Sequence, residues 1–269
     1  MRYIALLALT KLLPTHPHLL TTHSNTILKC IDDADTSIRS RALDLIEGMV
    51  DRSNLQVIVR KLLSQLSPAP VSAVSALNNI SATGSSAASS IASPSYKASL
   101  VQIILRMTTF NLYSNISNFQ WFIDLLITLA RTAKSLPSTS TGESNLSKRI
   151  SDILIDVCSR VRAIRAYGIQ QCIAVLLPEH LDLEASEWIV GEYSTELRSS
   201  EQWRTAIDAL KNAGCLYAAV KVFARWCNAL VETGAWNGEE EVREITKSVK
   251  ELRDSETEER VNPFLASVK

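Results

Sequence analysis

Ser37-Ile-Arg-Ser-Arg-Ala-Leu-Asp-Leu-Ile-Glu-Gly-Met-Val50 decides the fold class. Ile38, Ala42, Leu45, Ile46 and Met49 recur at helical spacing and share one face, while Arg39, Arg41, Asp44 and Glu47 cover the remainder. The spacing predicts a helix over about 37–50. The preceding Asp32-Asp33-Ala-Asp35-Thr36-Ser37 is rich in side chains that cap a helix start. Asp51 to Asn54 opens another helix that runs to about Leu66. Upstream, Ile4, Leu6, Leu7, Leu9, Leu12 and Leu13 form a helical stretch broken by Pro14 and Pro17, and 18–31 reads as a second helix. Ala5-Leu-Leu-Ala-Leu9 aligns with Ala42-Leu-Asp-Leu-Ile46 at an offset of 37 positions. Helix pairs recurring at roughly 35–47 residues mark HEAT and armadillo arrays, whose units bury their apolar stripes only by stacking on neighbours.

The rest of the chain continues in helices. They are expected at about 96–109, 118–136, 146–177 (as two helices), 184–199, 202–213, 215–233 and 238–254. Phe119, Trp121, Phe122, Ile123, Leu125, Leu126 and Leu129 make the second of these apolar nearly all round. Asn212-Ala213-Gly214 has the form of a helix C-terminus. Eight Gly and eight Pro are few for 269 residues, too few for a turn every ~8–12 residues as an all-β chain requires. The expected organisation is helical repeats over 1–66, a low-complexity Ser/Ala/Pro insertion over 67–95 and helical repeats over 96–136. A loop over 137–144, helical repeats over 145–234 and a charged helix and tail over 235–269 follow. The fold class is all-α: a right-handed α-solenoid of HEAT/armadillo-like helix pairs.

Composition argues against most chemistry. Lys and Arg number 28, as do Asp and Glu, so net charge points to no nucleic-acid partner. Cys30, Cys158, Cys172, Cys215 and Cys227 are odd in number, far apart and mostly in apolar helical runs, which suits reduced, packed cysteines of a cytosolic protein. Lys11 interrupts the first apolar run, which is therefore not read as a secretion signal. Leu62 to Tyr96 lacks charge but holds eleven Ser and three Pro, too polar for a membrane span. His16, His18 and His23 lie near one another without a companion Cys or carboxylate pair, so no metal site is expected. No phosphate-binding glycine loop and no GxSxG element occurs, and His180 stands beside Glu179 without a nucleophile, so neither a cofactor nor catalysis is expected. Gly48, Gly168 and Gly191 fall inside helical patterns, where close helix approach is the expected compensation for their low propensity. Lys148, Arg149, Arg160, Arg162 and Arg165 form a basic stripe. It is either a solvated helix face or a surface for phosphate head groups or an acidic partner. Asn262-Pro263-Phe264 resembles the ligands of endocytic EH domains.

Trp188-Ile-Val-Gly-Glu-Tyr193 resembles the W-[IV]-[IVL]-G-E-Y signature of adaptin large subunits, with Trp188, Gly191, Glu192 and Tyr193 all in place. Arg2 to Lys11 with Thr15-His-Pro17, and Asp32 to Arg39 with Arg41-Ala-Leu-Asp-Leu45, look like the delta-type large subunits of adaptor-protein complex three. So do Asn118-Phe119…Trp121 with Leu125-Leu126, and Val157…Val161-Arg162-Ala-Ile-Arg165. The resemblance spans about residues 2–195 with gaps at the two loops, and residues after about 234 do not share it clearly. It implies the adaptin N-terminal trunk fold and a non-catalytic scaffold in a heterotetrameric vesicle coat. The implied partners are a beta-type large subunit and medium and small subunits. The implied location is cytoplasmic and peripheral on Golgi and endosomal membranes, with cargo sorted to the lysosome or vacuole. It also implies that the chain opens in the middle of a trunk. The alternative is another HEAT-type scaffold, such as a transport receptor or phosphatase scaffold, which would not share the Trp188–Tyr193 element. Arg39, Arg41 and Asp44 are expected to form a polar ladder between repeats, and Trp188, Gly191 and Tyr193 to pack.

Overall fold

A computed structural model describes residues 1–12, 16, 18–66, 93–136, 143–181 and 183–233. Most of the low-complexity insertion, the loop after residue 136 and the charged run with Asn262-Pro263-Phe264 lie outside the described residues. Among those described, eleven α-helices and no strand occur. They fall into two compact units, Met1–Asn118 with Leu136–Leu146, and Phe119–Ser135 with Ser147–Lys269.

The first unit holds α1 (Arg2–Leu12), α2 (His18–Cys30), α3 (Thr36–Glu47), α4 (Leu55–Leu66) and α5 (Pro94–Thr109). The two helices that carry the 37-residue offset, α1 and α3, pack on each other, and the equivalent residues Leu6 and Leu43 are both buried. Helix α2 also packs on α3, and α4 and α3 each pack on α5. Ile27, Ile31, Leu45, Ile46, Ile58, Leu62, Leu100 and Ile104 fill the interior. Each fully buried aliphatic side chain contributes about 1.5–3 kcal/mol.

Local chemistry sets the helix ends. The carboxylate of Asp35 accepts the Ser37 N–H at 2.8 Å and caps α3. Gly48 ends α3 instead of lying within it, its N–H bonding the Leu45 carbonyl at 3.2 Å. Asp51 Oδ1 then accepts the N–H groups of Ser53 (2.7 Å) and Asn54 (3.0 Å), and Asn54 Oδ1 accepts the Asp51 N–H at 2.8 Å. This reciprocal turn starts α4. Ser93 caps α5, with Pro94 in its first turn.

The second unit comprises α6 (Phe119–Ser135), most of α7 (Glu143–Arg160), α8 (Arg165–Gln171), α9 (Leu183–Tyr193), α10 (Ser200–Asn212) and α11 (Leu216–Thr233). The span expected to hold two helices contains α7, a 3₁₀ turn at Arg162–Ile164, α8 and a π turn at Cys172–Leu176. The expected helix over 184–199 is shorter, because α9 gives way to a 3₁₀ turn at Ser194–Glu196. Ser199 and Gln202 form a capping box before α10. Gly214, at φ +81°, ends α10, with Gly214 N–H on the Lys211 carbonyl and Cys215 N–H on the Leu210 carbonyl. That bond pair is a Schellman motif. Trp203, Ala206, Ile207 and Leu210 form the buried stripe of α10, which packs on α11, and α11 packs on α9.

Candidate functional site

The Trp188–Tyr193 segment is the last part of α9. A helix end leaves carbonyls without intrahelical donors and carries partial negative charge. Helix α11 supplies the missing donors. Arg225 Nη1 bonds the Gly191 carbonyl at 2.6 Å and also the Glu192 carbonyl, and Nη2 reaches Glu192 Oε2 at 3.3 Å. Lys221, one turn earlier, places Nζ 3.0 Å from the same Oε2. The Lys221 ammonium, with Arg225, holds the Glu192 carboxyl below its usual range. One cationic face of α11 therefore grips both the backbone end and the acidic side chain of α9.

A second arginine does the same for α7. Arg165 Nε bonds the Cys158 carbonyl at 2.9 Å and Nη2 the Ser159 carbonyl at 2.8 Å. Its guanidinium lies 4.4 Å from the centre of the Tyr193 ring, a cation–π contact. Tyr193 shares a hydrogen bond of 3.2 Å between its Oη and Ser159 Oγ, and its ring meets Trp188 edge-on at 5.6 Å. Tyr193 thus joins α9 to the end of α7. Trp188 contributes that edge contact while 40% exposed.

The two glycines within helices α8 and α9 differ. A Cβ on Gly191 would stand 3.6 Å from Lys221 Cδ and 3.9 Å from Ala218 Cβ, ordinary contact. A Cβ on Gly168 would stand 3.0 Å from Cys158 Sγ. Close approach explains Gly168; no steric need explains Gly191.

The structure does not bring the basic stripe onto one face, because α7 ends at Arg160 and the chain turns there. Arg160 pairs with Asp156 along α7 at 2.7 Å. Arg162 extends into solvent, 3.8 Å from Glu196. Arg165 points inward to its carbonyls. Sequence reading missed Arg225 and Lys221, whose signal was their spacing of four on a stretch, Leu216 to Cys227, that is otherwise apolar.

In the first unit, Arg39 is buried with its guanidinium 4.7 Å from the Tyr96 ring centre, joining α3 to α5. Its Nε finds no hydrogen-bond partner among the described residues. Tyr96 Oη donates to Gln65 Oε1 at 3.0 Å, and Gln65 Nε2 donates to the Ile31 carbonyl at 2.9 Å. Arg41 pairs with Asp44 on its own helix at 3.2 Å, and the Tyr3 hydroxyl of α1 is the main cause holding its pKa above the ordinary value. Lys61–Asp32 and Arg106–Glu47 pairs, each at 2.9 Å, add links between helices. Exposed pairs of this kind contribute about 0–1 kcal/mol each.

Among the described residues no group of three or more His, Cys, Asp or Glu could hold a metal ion. Burial pushes the Cys158 thiol up to about 12 and the Cys215 thiol up to about 11, so neither supplies a thiolate at neutral pH. A groove of about 330 Å³ between the π turn and α10 includes Glu201 and Thr205, but the Thr205 hydroxyl donates to the Glu201 backbone carbonyl. No described helix is long and apolar enough to cross a membrane.

The profile of the adaptin N-terminal region matches residues 1–266. The match runs through the charged run after residue 234, which sequence reading leaves outside the resemblance. The AP-3 complex subunit delta-1 of Bos taurus is 33% identical over 214 residues, covering 75% of this chain and 15% of that protein. The AP-3 complex subunit delta of Schizosaccharomyces pombe is 32% identical over 265 residues, covering 89% of this chain and 28% of that protein. The chain therefore spans less than a third of either relative. A homology model of the full-length AP-3 complex in an intermediate open conformation superposes with a TM-score of 0.69 over 99% of this chain and 48% of that one, at 23% identity. This likeness shows the fold.

Proposed function

This chain belongs to the adaptin N-terminal family, and on that premise we propose that it is part of the trunk of a delta-type large subunit in an AP-3-like vesicle-coat adaptor. Family membership makes it a non-catalytic scaffold. Its role is to hold a beta-type large subunit, a medium subunit and a small subunit in one heterotetramer. Through that complex it associates peripherally with Golgi and endosomal membranes from the cytoplasmic side and helps sort cargo toward the lysosome or vacuole. The observation that carries this reading is the similarity to AP-3 delta subunits across most of the chain. Trp188, Glu192 and Tyr193 hold the scaffold together in this reading. Arg160, Arg162 and Arg165 are not offered as one binding surface, since Arg165 is committed to the end of α7.

The test is a pull-down of the tagged 269-residue chain from cytosol, with mass spectrometry of the bound proteins. Recovery of a beta-type adaptin and a medium chain supports the reading. Recovery of neither by a soluble, folded bait overturns it.

A further inference from the structure

Two Ser-Pro dipeptides occur in the chain, Ser67-Pro68 and Ser93-Pro94, and no Thr-Pro. They stand near the two ends of the low-complexity span; the first lies outside the described residues. Nine serines fall from Ser67 to Ser93 inclusive, and the nearest charged residues on either side are Lys61 and Lys97. A kinase that selects serine by an acidic or a clustered basic surround has nothing to read there. Proline in the next position is the recognition feature that remains.

The structure places Ser93 where such an enzyme can reach it. Ser93 is the N-cap of α5 and Pro94 opens the helix. A proline disfavours helical conformation in the residue before it, and Ser93 is extended, at φ −53° and ψ 148°. Ser93, Pro94 and Ser95 are all exposed, and Tyr96 is the first buried residue. The present cap is a neutral hydroxyl with a long bond: Ser93 Oγ accepts the Tyr96 N–H at 3.3 Å. No acidic residue stands in the first turn, so no carboxylate there answers the positive end of the helix dipole. A second, separate cation faces this turn. Arg39 is 7% exposed, its Nε has no hydrogen-bond partner among the described residues, and its guanidinium lies 4.7 Å from the centre of the Tyr96 ring. A buried cation without an anion is costly. Both features favour negative charge at the start of α5.

We propose that Ser93 is a phosphorylation site for a proline-directed serine/threonine kinase, and that the phosphate becomes a charged N-cap of α5. Ser93 Oγ attacks the γ-phosphorus of a nucleoside triphosphate held by the kinase. The new Oγ–P bond replaces the bond from that phosphorus to the β–γ bridging oxygen. The nucleoside diphosphate leaves with the electron pair, and the hydroxyl proton passes to the kinase's general base. The product carries about −1.5 to −2 charges at neutral pH and three strong acceptor oxygens. Those oxygens replace a neutral acceptor at the N–H groups of the first turn, where negative charge is stabilising. Phosphorylation thereby firms the start of α5, the helix on which α3 and α4 pack.

The inference does not rest on the scaffold reading, and its failure would leave that reading intact. The full chain is incubated with Mg-ATP and a cyclin-dependent or mitogen-activated kinase, and separately with an acid-directed and a base-directed kinase. Intact mass counts the phosphates, and fragmentation places them. The proline-directed enzymes are expected to modify Ser93, and the other two to leave it unmodified. Pro94→Ala keeps the capping hydroxyl of Ser93 and lowers the rate at that residue at least tenfold. The phosphorylated chain melts about 1–4 °C higher than the unmodified chain at low ionic strength, followed by far-UV circular dichroism, and the gain shrinks as salt is added. An unmodified Ser93 in the folded chain overturns the site, as do equal rates at Ser93 in wild type and Pro94→Ala. A phosphorylated chain that melts no higher than the unmodified one overturns the charged cap.

Discussion

Arg225→Ala removes at once the two bonds from α11 to the Gly191 and Glu192 carbonyls and the contact with Glu192 Oε2. A net hydrogen bond to a charged group contributes about 1.5–3 kcal/mol, and a buried group left unsatisfied costs a similar amount. Three bonds do not add to three such terms here. Arg225 keeps 29% of its side chain exposed, so water replaces part of what is lost. Lys221 also still holds Glu192. The expected destabilisation is about 2 kcal/mol, or roughly 4–8 °C in melting temperature for a unit of this size. All five tryptophans, Trp121, Trp188, Trp203, Trp226 and Trp236, fall within the sequence span of the second unit, so tryptophan fluorescence in a urea titration reports its unfolding, with far-UV circular dichroism as a second probe. Arg225→Lys keeps the charge near Glu192 but lacks the fork that bridges two carbonyls, and loses about half as much. A change below about 0.5 kcal/mol for Arg225→Ala would mean that the end of α9 is held by something other than this clamp.

Further outcomes follow from the same geometry. Gly191→Ala stabilises by up to ~1 kcal/mol, because helix propensity improves and the new methyl meets only ordinary contacts; a loss would show that Gly191 has a role beyond packing in this chain. Gly168→Ala destabilises by about 1–3 kcal/mol, because its methyl would sit 3.0 Å from Cys158 Sγ, and Cys158→Ala suppresses most of that cost in a double-mutant cycle. Glu192 has a lowered pKa in the folded state, so its contribution is fully present above the ordinary carboxylate value of 4.5 and is lost as pH falls through the folded value. Glu192→Gln should therefore flatten the acid side of the stability–pH curve and lower stability at pH 7; unchanged acid sensitivity would contradict the pairing. Glu187 has the opposite sign: burial raises its pKa, so the stability tied to its protonated form is present at low pH and lost as pH rises through that raised value. Glu187→Gln should raise the melting temperature at pH 7 and have little effect at pH 3.5.

The repeat architecture was legible because it is written locally. Asp35, Asp51 with Asn54, and Gly214 mark helix ends through their own side chains or backbone freedom, and the stripe of α10 follows from the spacing of Trp203, Ala206, Ile207 and Leu210. The offset between Ala5–Leu9 and Ala42–Ile46 signalled two equivalent helices, and those helices meet. The clamps were not legible. Glu192 is 33 residues from Arg225, and nothing in either local sequence says that the arginine will turn onto the end of α9. Arg165 read as a surface charge because its neighbours Arg160 and Arg162 are charged, yet the chain turns at Val161 and sends it inward. The left-handed backbone of Asn111, Leu112 and Tyr113 (φ 46°, 54° and 65°) carries no Gly or Pro to announce it.

Reconstitution tests the scaffold claim most directly. The chain is coexpressed with the beta-type, medium and small chains of an AP-3-type complex, and separately with the corresponding chains of a different adaptor, and each mixture is sized by light scattering. The account predicts a stable, stoichiometric assembly that contains the chain with the AP-3-type set and not with the other. A chain that stays apart from the AP-3-type set while those chains are folded, or that prefers the other set, would contradict it.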